Sequence, residues 1–265
     1  MENLQSDHLD TQNLYRDMQK RTGGEIYIGV VGPVRTGKST FIKRFMDVAV
    51  LPYMEDAAQK TRAQDELPQS AGGRTITTTE PKFIPQEAVE LKLAGEVTIR
   101  VRLVDCVGFM VEGAAGHLED GAERLVKTPW YDHEIPFTQA AELGTRKVIT
   151  DHSTIGVVVT TDGSFSDLPQ ETYLDAENQA ISELKKLHKP FLVLVNSSHP
   201  SSRTAREAAE RIEKQHSVAA MPVNCAQLSE EDIRQIMEQI LYEFPVSRVE
   251  FYMPKWVEML PFSHP

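Results

Sequence analysis

The stretch Gly29-Val-Val-Gly-Pro-Val-Arg-Thr-Gly-Lys-Ser-Thr40 decides how the rest of this chain is read. It starts at the end of a short apolar run, EIYIGVV (25–31), whose β-branched residues suit a buried strand. It runs into a segment with Phe41, Ile42, Phe45 and Met46 at helical spacing. Between the two, Gly32 to Ser39 match G-x4-G-K-[ST], the Walker A pattern, in the strand–turn–helix context that the pattern requires. Its glycines let the backbone wrap a phosphate with N–H groups at the positive end of a helix dipole. Lys38 is then expected to reach the β- and γ-phosphates, Ser39 to ligate Mg2+ and Thr40 to donate to the α-phosphate. Gly32, Arg35, Thr36 and Gly37 complete the expected cradle.

A second element is RLVDCVG (102–108), an aspartate closing a hydrophobic strand with glycine three positions on. In this D-x-x-G arrangement Asp105 is expected to hold the magnesium through a water and the Gly108 amide to meet the γ-phosphate. Between the two motifs lies Gly73-Arg-Thr-Ile-Thr-Thr-Thr-Glu-Pro81. A switch loop needs one threonine that completes the magnesium shell when a γ-phosphate is present, and Thr75, Thr77, Thr78 and Thr79 compete for that role. What drives hydrolysis is less legible. Phe109 follows the D-x-x-G, where many small GTPases place a water-orienting glutamine, so the base lies elsewhere or turnover is slow. Arg74 and Arg35 are candidates for a supplied positive charge.

A late apolar run, FLVLVN (191–196), ends at the position where a guanine reader continues Asn-Lys-x-Asp, but here the continuation is Asn196-Ser197-Ser198-His199. A guanine-reading aspartate accepts two N–H bonds from the base, and each charge-assisted bond contributes roughly 1.5–3 kcal/mol. Without it, on the order of 100-fold or more of guanine preference is expected to be lost. Asn196 is expected to brace the loop, and Ser197 or a backbone carbonyl to accept from an adenine amino group.

Around these motifs strand and helix patterns alternate. Strands are expected at 25–31, at 153–161, 191–196 and 218–224, and in a hairpin over 89–108 with its turn at Gly95. Helices are expected at 56–64, 137–151, 170–187, 204–214 and 230–242, with irregular stretches at 52–82 and 109–136. That alternation argues for an α/β fold, a mostly parallel sheet with helices on both faces. Three parts follow: a polar lead (1–24, helical over 14–20), a P-loop NTPase domain (25–245) and an extension (246–265). The extension carries Phe251, Tyr252, Trp256 and Leu260, and reads either as a closing strand or as a junction to further domains or a partner.

A net charge of −11 argues against broad binding to nucleic acid or to an anionic membrane, although Arg16, Lys20 and Arg21 form a local basic cluster. No apolar run is long enough for a membrane span, and the lead has no apolar core of the secretory kind. Two cysteines far apart, Cys106 and Cys225, argue against a disulfide framework or zinc site and for a reducing cytoplasm.

GVVGPVRTGKSTFIKRFM (29–46), RAQDELPQSAGGRTITTTEPKFIP (62–85), VRLVDCVGF (101–109), TPWYDHEIPF (128–137) and GTRKVITDHSTIGVVVTTDGS (144–164) together resemble the stage IV sporulation protein A family of spore-coat morphogenetic ATPases. The resemblance runs over roughly 22–256 and includes RAQDELPQS, which has no generic P-loop role. It implies a GTPase-like, translation-factor-related P-loop domain that binds and hydrolyses ATP with Mg2+, hydrolysis being coupled to self-assembly into a polymer. It further implies a place at the base of the spore coat, on the mother-cell side of the forespore membrane, with a small membrane-associated anchor and other coat proteins as partners. Contact with the membrane itself would be indirect or made by other regions. Under the resemblance Lys38 and Asp105 take the Walker A and Walker B roles, and Thr78 and Thr79 sense the γ-phosphate, with Ser39, Asp105, Thr78 and Thr79 around the metal. Pro33 departs from the family pattern and removes one N–H from the loop. The rival readings are a nucleotide-gated scaffold without meaningful hydrolysis and a GTPase switch of the ribosome-assembly kind.

Overall fold

The structure, a computed structural model, describes residues 16–68, 80–93, 97–114, 118–119, 122–166 and 168–244. In chain order the strands are β1 (Glu25–Val31), β2 (Lys82–Leu93), β3 (Val97–Asp105), β4 (Leu118–Glu119), β5 (Ala122–Glu123), β6 (Leu125–Thr128), β7 (Tyr131–Pro136), β8 (Ile155–Thr161), β9 (Phe191–Asn196) and β10 (Ala220–Val223). The helices are α1 (16–22), α2 (Lys38–Phe45), α3 (Ala57–Asp65), α4 (Phe137–Lys147), α5 (Leu174–Lys186), α6 (Arg203–His216) and α7 (Glu230–Tyr242).

Six strands form one sheet in the order β10-β9-β8-β1-β3-β2. Every pairing in it is parallel except β2 with β3. The expected α/β class is therefore what the chain adopts, a P-loop fold with helices on both faces of a mostly parallel sheet. The reason is visible strand by strand. All seven residues of β8 and all six of β9 are buried, as strands covered on both faces must be, and their sequences are unbroken apolar runs. Alternate residues of β1 feed two cores. Ile26, Ile28 and Val30 pack with Phe41 and Ile42 of α2 and Ile233 and Ile236 of α7. Val31 packs on the other face with Val148, with Ala176 and Ala180 of α5, and with Ala208 and Ala209 of α6. Gly29 faces Ser153, and a Cβ added there would lie 2.7 Å from the Ser153 Cβ, so the close approach requires glycine.

Helix ends follow local chemistry. Ser229 and Asp232 form a reciprocal capping box at the start of α7. Ser202 caps α6, which ends at Ser217 in the left-handed conformation. Asp56 accepts from Ala58 N and Gln59 N to start α3.

Three stretches differ from their sequence reading. The hairpin starts earlier than residue 89, because β2 begins at Lys82, crosses a cis Ile84–Pro85 bond and shifts register between Ile84 and Val89. Pro81 and Pro85 argue against a strand in isolation, and pairing with β3 overrides them. The irregular stretch before α4 holds two small antiparallel hairpins, β4–β5 and β6–β7. In the second only Thr128 and Ile135 are buried, so the apolar alternation that marks a strand is missing. The lead is less detached than its polarity suggests, since Met18 on α1 is fully buried in the same core as Ile26 and Ile28. From the basic cluster on that helix, the Arg21 guanidinium lies over the Phe244 ring at 5.8 Å from its centroid.

The turn expected at Gly95 and the aromatics of 246–265 fall outside the described residues. Among the described residues, no helix is long and apolar enough to cross a membrane.

Candidate nucleotide site

β1 delivers the chain to Gly32 at the carboxyl edge of the sheet, and α2 leaves from Gly37. Both glycines have positive φ, 128° and 96°. A Cβ on Gly32 would sit 2.4 Å from Val159 O, and one on Gly37 2.3 Å from Asn196 Nδ2, so neither position admits a side chain. Arg35 also has positive φ and is exposed at the crest of the loop. Thr36 is fully buried, its hydroxyl between Pro33 O at 3.0 Å and Val159 O at 2.6 Å. The loop is thus fastened to β8 underneath, while the first N–H groups of α2 have no intrahelical partner. Ser39 and Thr40 are half-buried on the first turn of α2.

Lys38 folds back over the loop and donates to Pro33 O at 2.6 Å. Pro33 lacks an N–H, but its carbonyl is the acceptor for both Lys38 and Thr36. The Lys38 side chain is buried, and burial pulls its ammonium below the ordinary lysine value against the opposing effects of Cys106 and Asp105.

β3 ends beside β1, with Val30 paired to Asp105. Ser39 Oγ donates to Asp105 Oδ2 at 2.7 Å, and Cys106 N donates to Asp105 Oδ1 at 3.0 Å. Burial pushes the Asp105 carboxyl above the usual carboxylate range, opposed first by the Ser39 bond and then by Lys38. Burial lifts the Cys106 thiol to about 11. An ammonium and a carboxylate both penalised by burial thus meet at the carboxyl edge of the sheet, the kind of perturbed pair that marks a candidate functional site.

The two motifs are stitched together by backbone. Phe109 N donates to Gly32 O at 3.0 Å and Val34 N to Phe109 O at 2.9 Å. Gly108 sits between, at φ 100°, where a Cβ would meet Gly32 O at 2.3 Å and Lys38 Nζ at 2.6 Å. Its amide donates to Thr145 Oγ1 on α4 at 3.2 Å, and Thr145 donates in turn to Ala141 O at 2.8 Å. Phe109 itself is fully buried.

Asn196 closes the other side. Its Nδ2 donates to Thr36 O at 2.9 Å, and its Oδ1 accepts from Cys225 N at 3.0 Å. One carboxamide therefore joins the phosphate loop, the end of β9 and the turn after β10. Ser197 is nearly inaccessible, at 1% exposure, and its hydroxyl accepts from His199 N at 3.0 Å. Of the two acceptors expected for an adenine amino group, Ser197 or a backbone carbonyl, the Ser197 hydroxyl is thus buried and already engaged.

The structure thus gathers Gly32, Arg35, Thr36, Gly37, Lys38, Ser39, Thr40, Asp105, Gly108 and Asn196 along one edge of the sheet. Thr78 and Thr79, with Thr75, Thr77 and Arg74, lie outside the described residues. Sequence reasoning missed Thr145 and the turn Asn224-Cys225-Ala226. No local motif marks either, since both reach the loop only through tertiary contacts.

The family model for "Stage IV sporulation protein A, ATPase domain" matches residues 9–245. Stage IV sporulation protein A of Clostridioides difficile (strain 630) is 50% identical over 252 residues, 95% of this chain and 51% of its own length. The proteins of the same name from Bacillus subtilis (strain 168) and Bacillus anthracis are 45% and 44% identical over 256 residues, 97% of this chain and 52% of theirs. The chain spans about half the length of the curated relatives it matches. A solved crystal structure of a mutation variant of SsGBP is 13% identical, with a TM-score of 0.45 over 91% of this chain and 66% of that one, a likeness too weak to carry an argument. With the match running from residue 9 to residue 245, across every element of the site, this chain belongs to the stage IV sporulation protein A family and comprises its ATPase domain.

Proposed function

We propose that this chain binds ATP with Mg2+ and hydrolyses it slowly, and that turnover drives self-assembly at the base of the spore coat. The observation that carries the catalytic part is the 2.7 Å bond between Ser39 Oγ and Asp105 Oδ2 at the open end of a loop whose lysine is already folded over it. Two hard oxygen donors from α2 and β3 fit an oxygen-liking dication such as Mg2+, which Ser39 and Asp105 would hold, with Thr78 or Thr79 as the proposed further ligand. Bound there, Mg2+ neutralises charge developing on the β- and γ-phosphates.

The chain's own residues do the rest. The amides of the 32–39 loop and of Thr40 hold the α- and β-phosphate oxygens. Lys38 leaves Pro33 O for the β- and γ-phosphates, an exchange of a neutral partner for a charged one that favours nucleotide binding. Gly108 N–H turns from Thr145 to the γ-phosphate. Asn196 keeps the loop and the base corner at a fixed separation.

The absence of a lysine and an aspartate after Asn196 supports adenine over guanine. Full burial of Phe109 supports slow turnover, because the side chain after the D-x-x-G cannot touch a water. That same burial favours the second reading, a nucleotide-gated scaffold without meaningful hydrolysis. The nucleotide domain is proposed to span 25–245, with α1 packed on it through Met18. Polymer contacts, docking to a small membrane-associated anchor and recruitment of coat proteins on the mother-cell side of the forespore are proposed from the family.

One experiment separates the readings. ATP and GTP are competed for the chain, and phosphate release is followed in the parent, Lys38→Ala and Asp105→Ala chains. ATP preference, loss of binding in Lys38→Ala and loss of turnover with retained binding in Asp105→Ala support the ATPase. Tenfold preference for GTP ends it, and binding without phosphate release in the parent leaves the scaffold.

A further inference from the structure

Ser39 and Asp105 set the direction of a bound nucleotide. A metal held by them, and the terminal phosphates with it, would lie toward β3, which flanks β1 on one side, while β8, β9 and β10 follow on the other. A nucleotide with its phosphates in the loop therefore projects its base over the carboxyl ends of β8, β9 and β10.

Three loops leave those ends. The first two, 162–164 and 197–199, are bonded to themselves and to each other. Ser164 N donates to Asp162 Oδ1 at 2.9 Å, Ser198 N to Ser164 Oγ at 2.8 Å, and His199 N to the buried Ser197 Oγ. The third, Asn224-Cys225-Ala226-Gln227, is pinned beside the phosphate loop by Asn196, which holds Cys225 N and Thr36 O together. In this turn Ala226 N donates to Asn224 Oδ1 at 3.1 Å and Gln227 N to Asn224 O at 3.0 Å. Asn224 is half-buried and Ala226 exposed, so the turn faces outward where a base would arrive.

The purines differ at this edge. Adenine carries an amino donor at position 6, whereas hypoxanthine and guanine carry a carbonyl acceptor there. A backbone N–H left open in this turn would attract the 6-oxo group. With the amide capped, the turn presents an amide oxygen that has a second lone pair.

We propose that Asn224 is a specificity-determining residue for the base. Its side-chain oxygen caps the Ala226 amide, withholds that donor from 6-oxo purines and accepts from the 6-amino group of adenine. The inference rests on the ATP reading above and names the residue that enforces it.

ATP and ITP differ only at this edge of the base, which makes their affinity ratio the right readout. The ratio is measured by displacement of a fluorescent nucleotide from the full chain, for the parent, Asn224→Ala and Asn224→Asp. In Asn224→Ala the opened amide favours ITP, and the ratio shifts toward ITP by about tenfold. Asn224→Asp retains a capping oxygen and retains the ATP preference. A shift smaller than about fivefold in Asn224→Ala overturns the proposal, and so does equal weakening of both nucleotides, which is the signature of a merely structural turn. Loss of the ATP preference in Asn224→Asp also overturns it. A parent chain that binds no ATP at all sinks the functional reading instead, a result distinguishable from all of these.

Discussion

Ser39 Oγ and Asp105 Oδ2 lie 2.7 Å apart although they come from α2 and β3, separated by 66 positions in the chain. The Ser39 hydroxyl donates to Asp105, and these are the two residues proposed to hold the dication. Asp105→Asn keeps the size of the side chain and removes its charge. ATP affinity should change little, while turnover at saturating Mg2+ should fall by about 100-fold, the usual scale for a lost electrostatic contact to developing charge. Single-turnover phosphate release checks this, and parental rates in Asp105→Asn would remove Asp105 from the metal role.

Gly108 N–H donates to Thr145 Oγ1 at 3.2 Å. Thr145→Val deletes the acceptor and leaves a buried amide unsatisfied, a cost of about 1–3 kcal/mol. A γ-phosphate that takes the same amide would offset that cost, and ADP would not. Calorimetry of the variant should therefore give an affinity gap between ADP and a nonhydrolysable ATP analogue wider than the parent's by about tenfold. An unchanged gap would mean that the Gly108 amide never meets the γ-phosphate.

The carboxamide of Asn196 satisfies Thr36 O and Cys225 N at once. Asn196→Ala leaves both without it at a position 7% exposed, so folding stability should fall by about 2–4 kcal/mol. Asn196→Asp can still accept from Cys225 N but turns a carboxylate oxygen toward Thr36 O. Urea denaturation should place it no higher than the alanine variant. A stable Asn196→Asp chain with parental ATP affinity would show that the bridge is dispensable.

The phosphate loop was legible because its chemistry is local. Gly32, Gly37, Lys38 and Ser39 act through backbone conformation and sequence neighbours, and β1 and α2 announce themselves by periodicity. β8 and β9 were equally plain, since burial on both faces forces unbroken apolar runs. β2 was half hidden because Pro81 and Pro85 speak against a strand until β3 pairs with it. Thr145 and Cys225 were invisible for a different reason. Thr145 acts on Gly108, 37 positions away, and Cys225 on Asn196, 29 positions away, and no single-sequence pattern encodes such contacts, whereas Asn224 caps Ala226 N locally.

Glu177 on α5 tests whether the sheet behind the site is held by a buried charge. It is 1% exposed, accepts from Thr160 Oγ1 of β8 at 2.6 Å and pairs with Arg211 of α6 at 2.8 Å. The neighbouring Val159 carbonyl accepts from Thr36 of the phosphate loop, so β8 is tied to α5 through one residue and to the loop through the next. Arg211→Ala removes the counter-charge and leaves a buried carboxylate with only the threonine hydroxyl, which should cost about 3–5 kcal/mol. Because Arg211 is itself 30% exposed, water recovers part of that and the lower figure is expected. Adding Glu177→Gln keeps an acceptor for Thr160 and deletes the charge, so the double variant should be more stable than Arg211→Ala alone. Melting temperature checks this at about 2–4 °C per kcal/mol for a domain of this size. ATP affinity, measured below the transition, should stay parental in both, because neither side chain touches the loop. A loss under about 1 kcal/mol in Arg211→Ala, or a double variant less stable than the single, would mean that the pair is screened and that β8 is held by packing alone.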